Sequence, residues 1–310
     1  MSIEVPAVLP RSSWLLLLPV PLLEAAMVIA WSSGFVGARF SIDYAPPFLV
    51  VFWRCFLLSL FILPLVWKDL RTTNFSTLCR QGGIGMLAMA GYLGGVVYGI
   101  SLGVPAGLAA LFADLLPIGT AVLAFALGQL SLSKKGWMGL GVGLVGVLLV
   151  THDAFGYGEA PLWANLLPLL GMLSLAVATV WRNHSSDAPK MGMLASLWLQ
   201  CAVSAVIFGV VVGFDSGLAP IYNAGFASSV IWTALVSTLG GYGLYWVCLH
   251  RTSPTRVASA LYLSPAVTLI WAWAMFGEPL SALMFLGLAI SAVGISMVIK
   301  GERSRSAAVD

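Results

Sequence analysis

The sequence predicts an all-α polytopic membrane protein: ten transmembrane helices built as two inverted five-helix repeats, with both termini cytoplasmic. Three observations lead there. Of 310 residues, 60% are hydrophobic and only 9% charged, against about 25% charged in a soluble domain, so the chain lacks the polar surface to face water. Apolar runs of roughly 17–25 residues recur along its whole length, enough to cross a hydrocarbon core of ~30 Å. Finally, the second half repeats the first 148 residues on: Pro117 falls on Pro265, Leu132-Ser133 on Leu280-Ser281, Gly139 on Gly287 and Gly146 on Gly294. A barrel would need weakly alternating ten-residue strands with polar lumen positions, which this sequence lacks.

The spans read as about 20–38, 47–66, 83–101, 106–127, 136–151, 162–181, 192–213, 227–249, 256–276 and 280–299. Prolines punctuate the breaks (Pro46-Pro47, Pro105, Pro161, Pro189, Pro254 and Pro279), in keeping with their place at helix starts. The run WLLLLPVPLL (14–23) lacks the basic flank and small-residue cleavage site of a signal peptide and leads into span one. The predicted organisation is a cytoplasmic segment 1–19, a first repeat 20–152, a second repeat 153–301 and a cytoplasmic tail 302–310. Five spans per copy is an odd number, which turns the second copy upside down in the membrane. Inverted repeats of this kind are common in secondary transporters, with the substrate site near the midplane where the copies meet.

The charges agree with this count. Lys68, Arg71, Arg80, Lys134, Lys135, Arg182, Lys190, Arg251 and Arg256 fall in inner connections, and Arg11, Lys300, Arg303 and Arg305 in the inner termini. Thirteen of the fifteen basic residues therefore share one side, as the positive-inside rule requires. The outer connections hold Arg39 beside Asp43, Asp153, Glu159, Asp215 and Glu278. These basic loops set topology, and no nucleic-acid partner is implied. The four cysteines (Cys55, Cys79, Cys201, Cys248) lie in or at the ends of apolar segments without a close pair and read as packing residues.

Three ionisable side chains fall within spans: Glu24, Arg54 and Asp114. Glu24 lies near the inner end of span one. Arg54 and Asp114 sit at similar depth, where charges pair or face a cavity. They are read as a structural pair, with substrate contact or coupling at Asp114 as the alternative. Gly91, Gly95, Gly99 and Gly103 follow a strict four-residue spacing in span three, a face for close helix approach. GVGLVG (141–146) matches a dinucleotide-binding spacing but lies inside a span with no strand before it, so that reading fails.

The candidate substrate-binding residues are Trp31, Ser32, Ser33, Tyr98, Asp114, Ser174, Thr179, Tyr242, Tyr245 and Tyr262. Trp31 flanks two serines at mid-depth, and Tyr242, Tyr245 and Trp246 share one face of span eight by their spacing. Buried tyrosine hydroxyls need partners, which a wet central cavity supplies. A cavity of aromatic and hydroxyl groups with little fixed charge suits a neutral or zwitterionic organic solute. Pro117 and Pro265, midway through spans four and nine, each free a backbone carbonyl and are read as kinks lining that cavity. His152, His184 and His250 stand at span ends and form no metal or catalytic cluster, so neither metal, cofactor nor enzyme chemistry is expected.

WSSGF (31–35), Arg54, the mid-helix prolines Pro117 and Pro265, and FGEPLSALMFLGLAISAVGISMVI (276–299) together resemble the drug/metabolite transporter superfamily, specifically its EamA-type exporters. The resemblance spans about residues 20 to 301. Gln129 stands one residue out of register with the glutamate of the second copy, and Gln200 stands where the second copy would carry the arginine. The aromatic content is most similar to bacterial amino-acid exporters of the YddG type. That likeness implies an inner-membrane exporter of aromatic and other neutral amino acids, acting as a monomer or homodimer. It further implies a cavity formed by spans one, three, four, six, eight and nine. Drugs or other metabolites as substrates, and uncoupled facilitation, are the alternatives it leaves open.

Overall fold

The computed structural model describes residues 18–128, 134–155, 160–184, 191–215, 217–252 and 254–306. The expected N-terminal segment, Gln129 and the last residues of the tail lie outside them. Every regular element among the described residues is helical. We number them α1 (Val20–Ser41), α2 (Pro47–Thr72), α3 (Phe75–Ser101), α4 (Ala106–Ala126), α5 (Lys134–Phe155) and α6 (Leu162–Arg182). There follow α7 (Met193–Asp215), α8 (Ala224–Leu249), α9 (Pro254–Leu261 and Ser264–Phe276) and α10 (Ala282–Ser306).

The ends follow from local chemistry. Pro19, Pro46, Pro105 and Pro161 stand at the N-caps of α1, α2, α4 and α6, where a missing N–H costs nothing. The Asn74 side chain accepts from the Thr77 N–H at 2.9 Å to start α3, and Asn223 accepts from Gly225 at 2.6 Å to start α8. Gly277 closes α9 in the left-handed conformation at φ 67°, a position that favours glycine.

Among the described residues, seven helices are long and apolar enough to cross a membrane: α1 to α4 and α6 to α8. Two shorter apolar helices, Ser264–Phe276 and Ala282–Val298, lie in α9 and α10. A break at Tyr262-Leu263 explains the first of these, because it divides the apolar stretch of α9. The corresponding break in α4 falls at Leu115, two residues before Pro117. Thus both mid-span prolines open a new helical segment, where proline is tolerated, and do not sit inside a continuous one.

Close backbone contact organises the packing. α5 and α10 run against each other in opposite senses. A Cβ added at Gly139 would lie 2.6 Å from the Gly294 carbonyl oxygen, and one at Gly146 would lie 2.5 Å from that of Gly287. Between these points the Ser291 hydroxyl donates to the Gly143 carbonyl at 3.2 Å. The glycine face of α3 docks on α6: a Cβ at Gly95 would stand 2.4 Å from the Leu167 carbonyl oxygen, and one at Gly99 would stand 2.8 Å from the Pro168 ring. α2 packs along α7, α1 along α8, and α4 against α9, where Gly107 leaves room for Leu269.

Besides the 3-10 turn Leu162–Asn165 that opens α6, two stretches among the described residues depart from α-helical winding. Met86–Gly91 of α3 and Trp232–Gly240 of α8 are π-helical, and the 148-residue offset maps the first inside the second. The wider turn releases a carbonyl, and the Ser174 hydroxyl of α6 donates to that of Leu87 at 2.9 Å. In α8 the Thr238 hydroxyl donates to the Thr233 carbonyl at 2.9 Å.

Gly294→Ala should lower stability by about 1–3 kcal/mol, as overpacking does, because its methyl would meet the backbone of Gly143 at 2.2 Å. Gly141→Ala, on another face of α5 with nothing within 4 Å, should be neutral or stabilising by about 0.5–1 kcal/mol. Thermal unfolding of the two purified variants in detergent checks both; equal behaviour would contradict the packing.

Candidate functional site

Four helices, α1, α2, α3 and α8, close around a cavity of about 70 Å³. α1 contributes Trp31, Gly34, Phe35 and Ala38 at i, i+3, i+4, i+7 spacing, one helix face. α3 contributes Ala88, Met89, Tyr92, Leu93, Val96 and Val97, the face beside its glycine stripe. Arg54 comes from α2, and Ser237 and Tyr242 from α8. The π-helical turns place several of these groups. Ala88, Met89 and Ser237 lie within them, while Tyr92 and Tyr242 follow them directly. The volume is well under the roughly 300–1,000 Å³ of pockets that enclose a drug-sized ligand, so a solute of amino-acid size needs the helices to part.

The walls are aromatic. The Trp31 ring lies 5.7 Å from that of Tyr242 and 6.1 Å from that of Tyr245, both tilted, and Tyr242 lies 6.2 Å from Trp246. Gly34 makes the junction possible, since a Cβ there would lie 2.6 Å from the Ser237 hydroxyl. Arg54 is the cation in the wall. It is buried, and its Nε has no hydrogen-bond partner.

The residues singled out in the sequence divide into groups. Trp31, Tyr242 and Arg54 line the cavity, and Tyr245 packs behind Trp31. Ser32 and Ser33 are fully buried away from it. Ser32 donates to the carbonyl and hydroxyl of Ser264 at 3.2 and 3.1 Å, and Ser33 donates to the Ala30 carbonyl at 2.6 Å. One residue along a helix turns the side chain by about 100°, which carries these serines off the face of Trp31. Tyr98 is exposed, its ring 5.5 Å from Phe48. Ser174 is engaged with the π-helical turn of α3, and Thr179 donates to the Leu175 carbonyl at 2.8 Å. Tyr262, Pro117 and Pro265 lie at the breaks of α4 and α9 and are not among the lining residues.

The expected pair of Arg54 with Asp114 is absent in this conformation. The ion pairs among the described residues are Arg39–Asp43, Arg39–Glu278 and Arg256–Glu24. Asp114 ends the first segment of α4, and the Tyr92 hydroxyl is within electrostatic reach of both charges. Equal depth in the membrane did not bring the two groups onto facing sides. Likewise α4, α6 and α9, expected to share in the cavity, give no lining residue. The glycine stripe binds α6 to the other side of α3, and α4 and α9 pack on each other. Tyr92 and Ser237 went unrecognised in the sequence. The face Ala88, Tyr92, Val96, adjacent to the glycine stripe, was the signal for Tyr92.

Each end of α1 is clamped. Near its start Glu24 receives two hydrogen bonds from Arg256 of α9, at 2.6 and 3.0 Å. At its finish Arg39 reaches Glu278 at 4.0 Å and Asp43 at 2.9 Å, and lies 4.8 Å from the centre of the Phe276 ring. Glu278 accepts from the Ala106 N–H at 3.0 Å, so its carboxylate caps α4. Four elements therefore meet at one acid: α1, α4, α9 and the turn into α10.

A bundle of apolar helices around an aromatic cavity, with both ends of one lining helix held by charges, is the build of a membrane protein that handles a small solute. The sequence model of the EamA-like transporter family matches the chain twice, over residues 18–152 and 162–300. The chain belongs to this family and is a membrane transporter. Similar proteins include the uncharacterized inner membrane transporter YedA of Escherichia coli K12, 24% identical over 278 residues and covering 89% of each chain. A "probable amino-acid metabolite efflux pump" of Salmonella typhimurium is 25% identical over 293 residues, covering 92% of this chain and 96% of that one. The uncharacterized transporter YvbV of Bacillus subtilis is 25% identical over 295 residues, with 93% of each covered. One crystal structure shares the fold at a TM-score of 0.60 and 18% identity, over 92% of this chain and 98% of that one.

Burial pushes the Glu278 carboxyl above the ordinary carboxylate value of 4.5, against the opposite pull of the Ala106 N–H and the Arg39 guanidinium. Because the folded-state value is raised, protonation favours the folded form. This contribution is complete below the unfolded value and is lost as pH rises through the folded one. The melting temperature of the wild type should therefore fall relative to that of Glu278→Gln as pH rises from about 4.5. A difference between the two that does not change with pH would contradict it.

Proposed function

We propose that this transporter exports aromatic and other neutral amino acids, by alternating access around the cavity of Trp31, Tyr92, Tyr242 and Arg54. The observation that carries the reading is the lining itself. Four aromatic side chains (Trp31, Phe35, Tyr92 and Tyr242), the Ser237 hydroxyl and the Arg54 cation converge from four helices. Rings of this kind hold the apolar end of an amino acid by stacking at ~0.5–1.5 kcal/mol each beyond area burial. The efflux-pump relatives support amino-acid metabolites as the cargo class and outward movement as its direction.

The architecture proposed is ten spans in two inverted repeats, 20–152 and 153–301, with both termini cytoplasmic. The contacts of α5 with α10 support it. Shifting the contact Gly139–Gly294 by 148 residues in one direction and its partner in the other yields Gly146–Gly287, which is also made. A contact pattern that maps onto itself in this way, between antiparallel helices, has a two-fold axis across the bundle. The two matches to the family, the paired π-helical turns and the paired breaks of α4 and α9 support the same arrangement. Access would then alternate as one repeat rocks on the other, with the Arg39–Glu278–Ala106 contacts closing one end of α1 and Glu24–Arg256 the other. All the lining residues come from one chain, and the transporter would act as a monomer or a homodimer.

Counterflow into proteoliposomes tests this reading. Labelled phenylalanine should accumulate transiently against unlabelled amino acid inside, and a panel of cationic drugs should neither accumulate nor compete. Trp31→Ala and Tyr242→Ala should each reduce transport by about tenfold or more, a loss of ~1.4 kcal/mol or more of stabilisation, while expression and melting temperature stay close to those of the wild type. Full activity in both variants would remove this cavity as the site.

A further inference from the structure

We propose that Arg54 reads the carboxylate of the cargo, so that the transported solute must carry an anionic group next to its apolar end. The inference rests on the amino-acid reading of the same cavity and makes it chemically specific.

The side chain of Arg54 is only 8% exposed, lines the cavity, and has its Nε buried without a partner. None of the hydrogen bonds or ion pairs between described residues involves it. The groups that share the cavity wall with it are Trp31, Phe35, Tyr92, Ser237 and Tyr242. None of these is a carboxylate. Charged side chains at membrane depth pair with one another or face a path for solutes. Asp114, near the same Tyr92, makes no ion pair with Arg54, so the cation stands without a bonded anion.

Guanidinium is the group suited to the missing partner. Its planar fork of N–H donors matches the two oxygens of a carboxylate and is less strongly hydrated than an ammonium, so it works well away from water. The aromatic rings of Trp31 and Tyr242 line the same space for an apolar side chain. A carboxylate arriving with a cargo molecule would supply the counter-charge that this wall lacks. A primary amine or an ester of the same shape would meet a like charge or an unsatisfied donor, and specificity follows from that difference. Lysine in place of Arg54 would keep the charge but lose the two-point geometry.

The test uses purified full-length protein in proteoliposomes, with labelled phenylalanine counterflow and four competitors: phenylalanine, 3-phenylpropionate, phenylalanine methyl ester and phenethylamine. In the wild type the two carboxylates should compete at least tenfold more strongly than the ester or the amine. Arg54→Gln should lose at least tenfold in phenylalanine transport and show no preference among the competitors, with Arg54→Lys intermediate. Thermal stabilisation of the wild type in detergent by the same four compounds gives the same ranking without any variant, and serves if Arg54→Gln does not fold. Robust phenylalanine counterflow with equal competition by the methyl ester would overturn the role of Arg54 and leave the amino-acid reading standing. Absence of any amino-acid counterflow in the wild type would overturn the amino-acid reading, and this inference with it.

Discussion

The structure depends on backbone meeting backbone at glycines. Lipid removes the hydrophobic drive between helices, because hydrocarbon is as apolar as leucine, and association then rests on close packing and hydrogen bonds. At the crossing of α5 and α10 a methyl group on Gly294 would lie 2.2 Å from the Gly143 nitrogen and 2.7 Å from the Gly139 carbonyl oxygen. No side chain larger than hydrogen fits such an approach. Because Gly143 and Ser291 are equivalent under the repeat and hydrogen-bonded to each other, the closest approach falls where a two-fold axis would pass. The same device joins α3 to α6 through Gly91, Gly95 and Gly99, so the first helix of the second half is fixed to the third helix of the first.

Close packing in one place permits irregular backbone in another. α5 and α10 are unbroken, whereas α3, α4, α8 and α9 are wound or broken at intervals. Backbone groups released within a membrane must find partners in the protein or in water. Here they find them in side chains: Ser174 of α6 on Leu87, Thr238 on Thr233 within the same turn of α8, and Glu278 on the start of α4. The π-helical turns bring Tyr92, Ser237 and Tyr242 to the cavity, in line with the frequent occurrence of such turns at functional sites. Rigid pairs and irregular helices are therefore complementary, and the cavity is where the irregular ones converge.

How far the sequence reveals this depends on what periodicity can encode. The repeat offset, the proline punctuation and the distribution of lysine and arginine are linear properties, and from them the helix ends were placed within a few residues for most elements. Depth in the membrane is also nearly linear, which is why Trp31, Tyr242 and Arg54 stood out. Azimuth around a helix is not. Ser32 and Ser33 share the depth of Trp31 and point elsewhere, and Arg54 and Asp114 share a depth without meeting. A π-helical turn shifts the azimuth of everything beyond it, and no regular spacing announces one. Tyr92 and Ser237 were hidden for that reason, while the glycine stripe of α3 was visible because it follows a strict four-residue period.

The departure from symmetry at α2 and α7 then acquires a meaning. These helices pack along each other; α2 carries Arg54, and α7 carries Gln200, equally buried and set against Gly85, two residues from the Ala202 that the 148-residue offset pairs with Arg54. A second arginine in place of Gln200 would place like charges in a low-dielectric wall, and the repulsion would have to be relieved by two anions at once. One arginine opposite a neutral amide leaves a single unmet positive charge, which one carboxylate satisfies. Under the role proposed for Arg54 the cargo would also have a direction: anionic end toward α2, apolar end toward the rings of α1 and α8. In the proposed mechanism a symmetric scaffold would rock between two states of similar energy, whereas the recognition of one asymmetric molecule calls for a single asymmetric charge, the part proposed for Arg54.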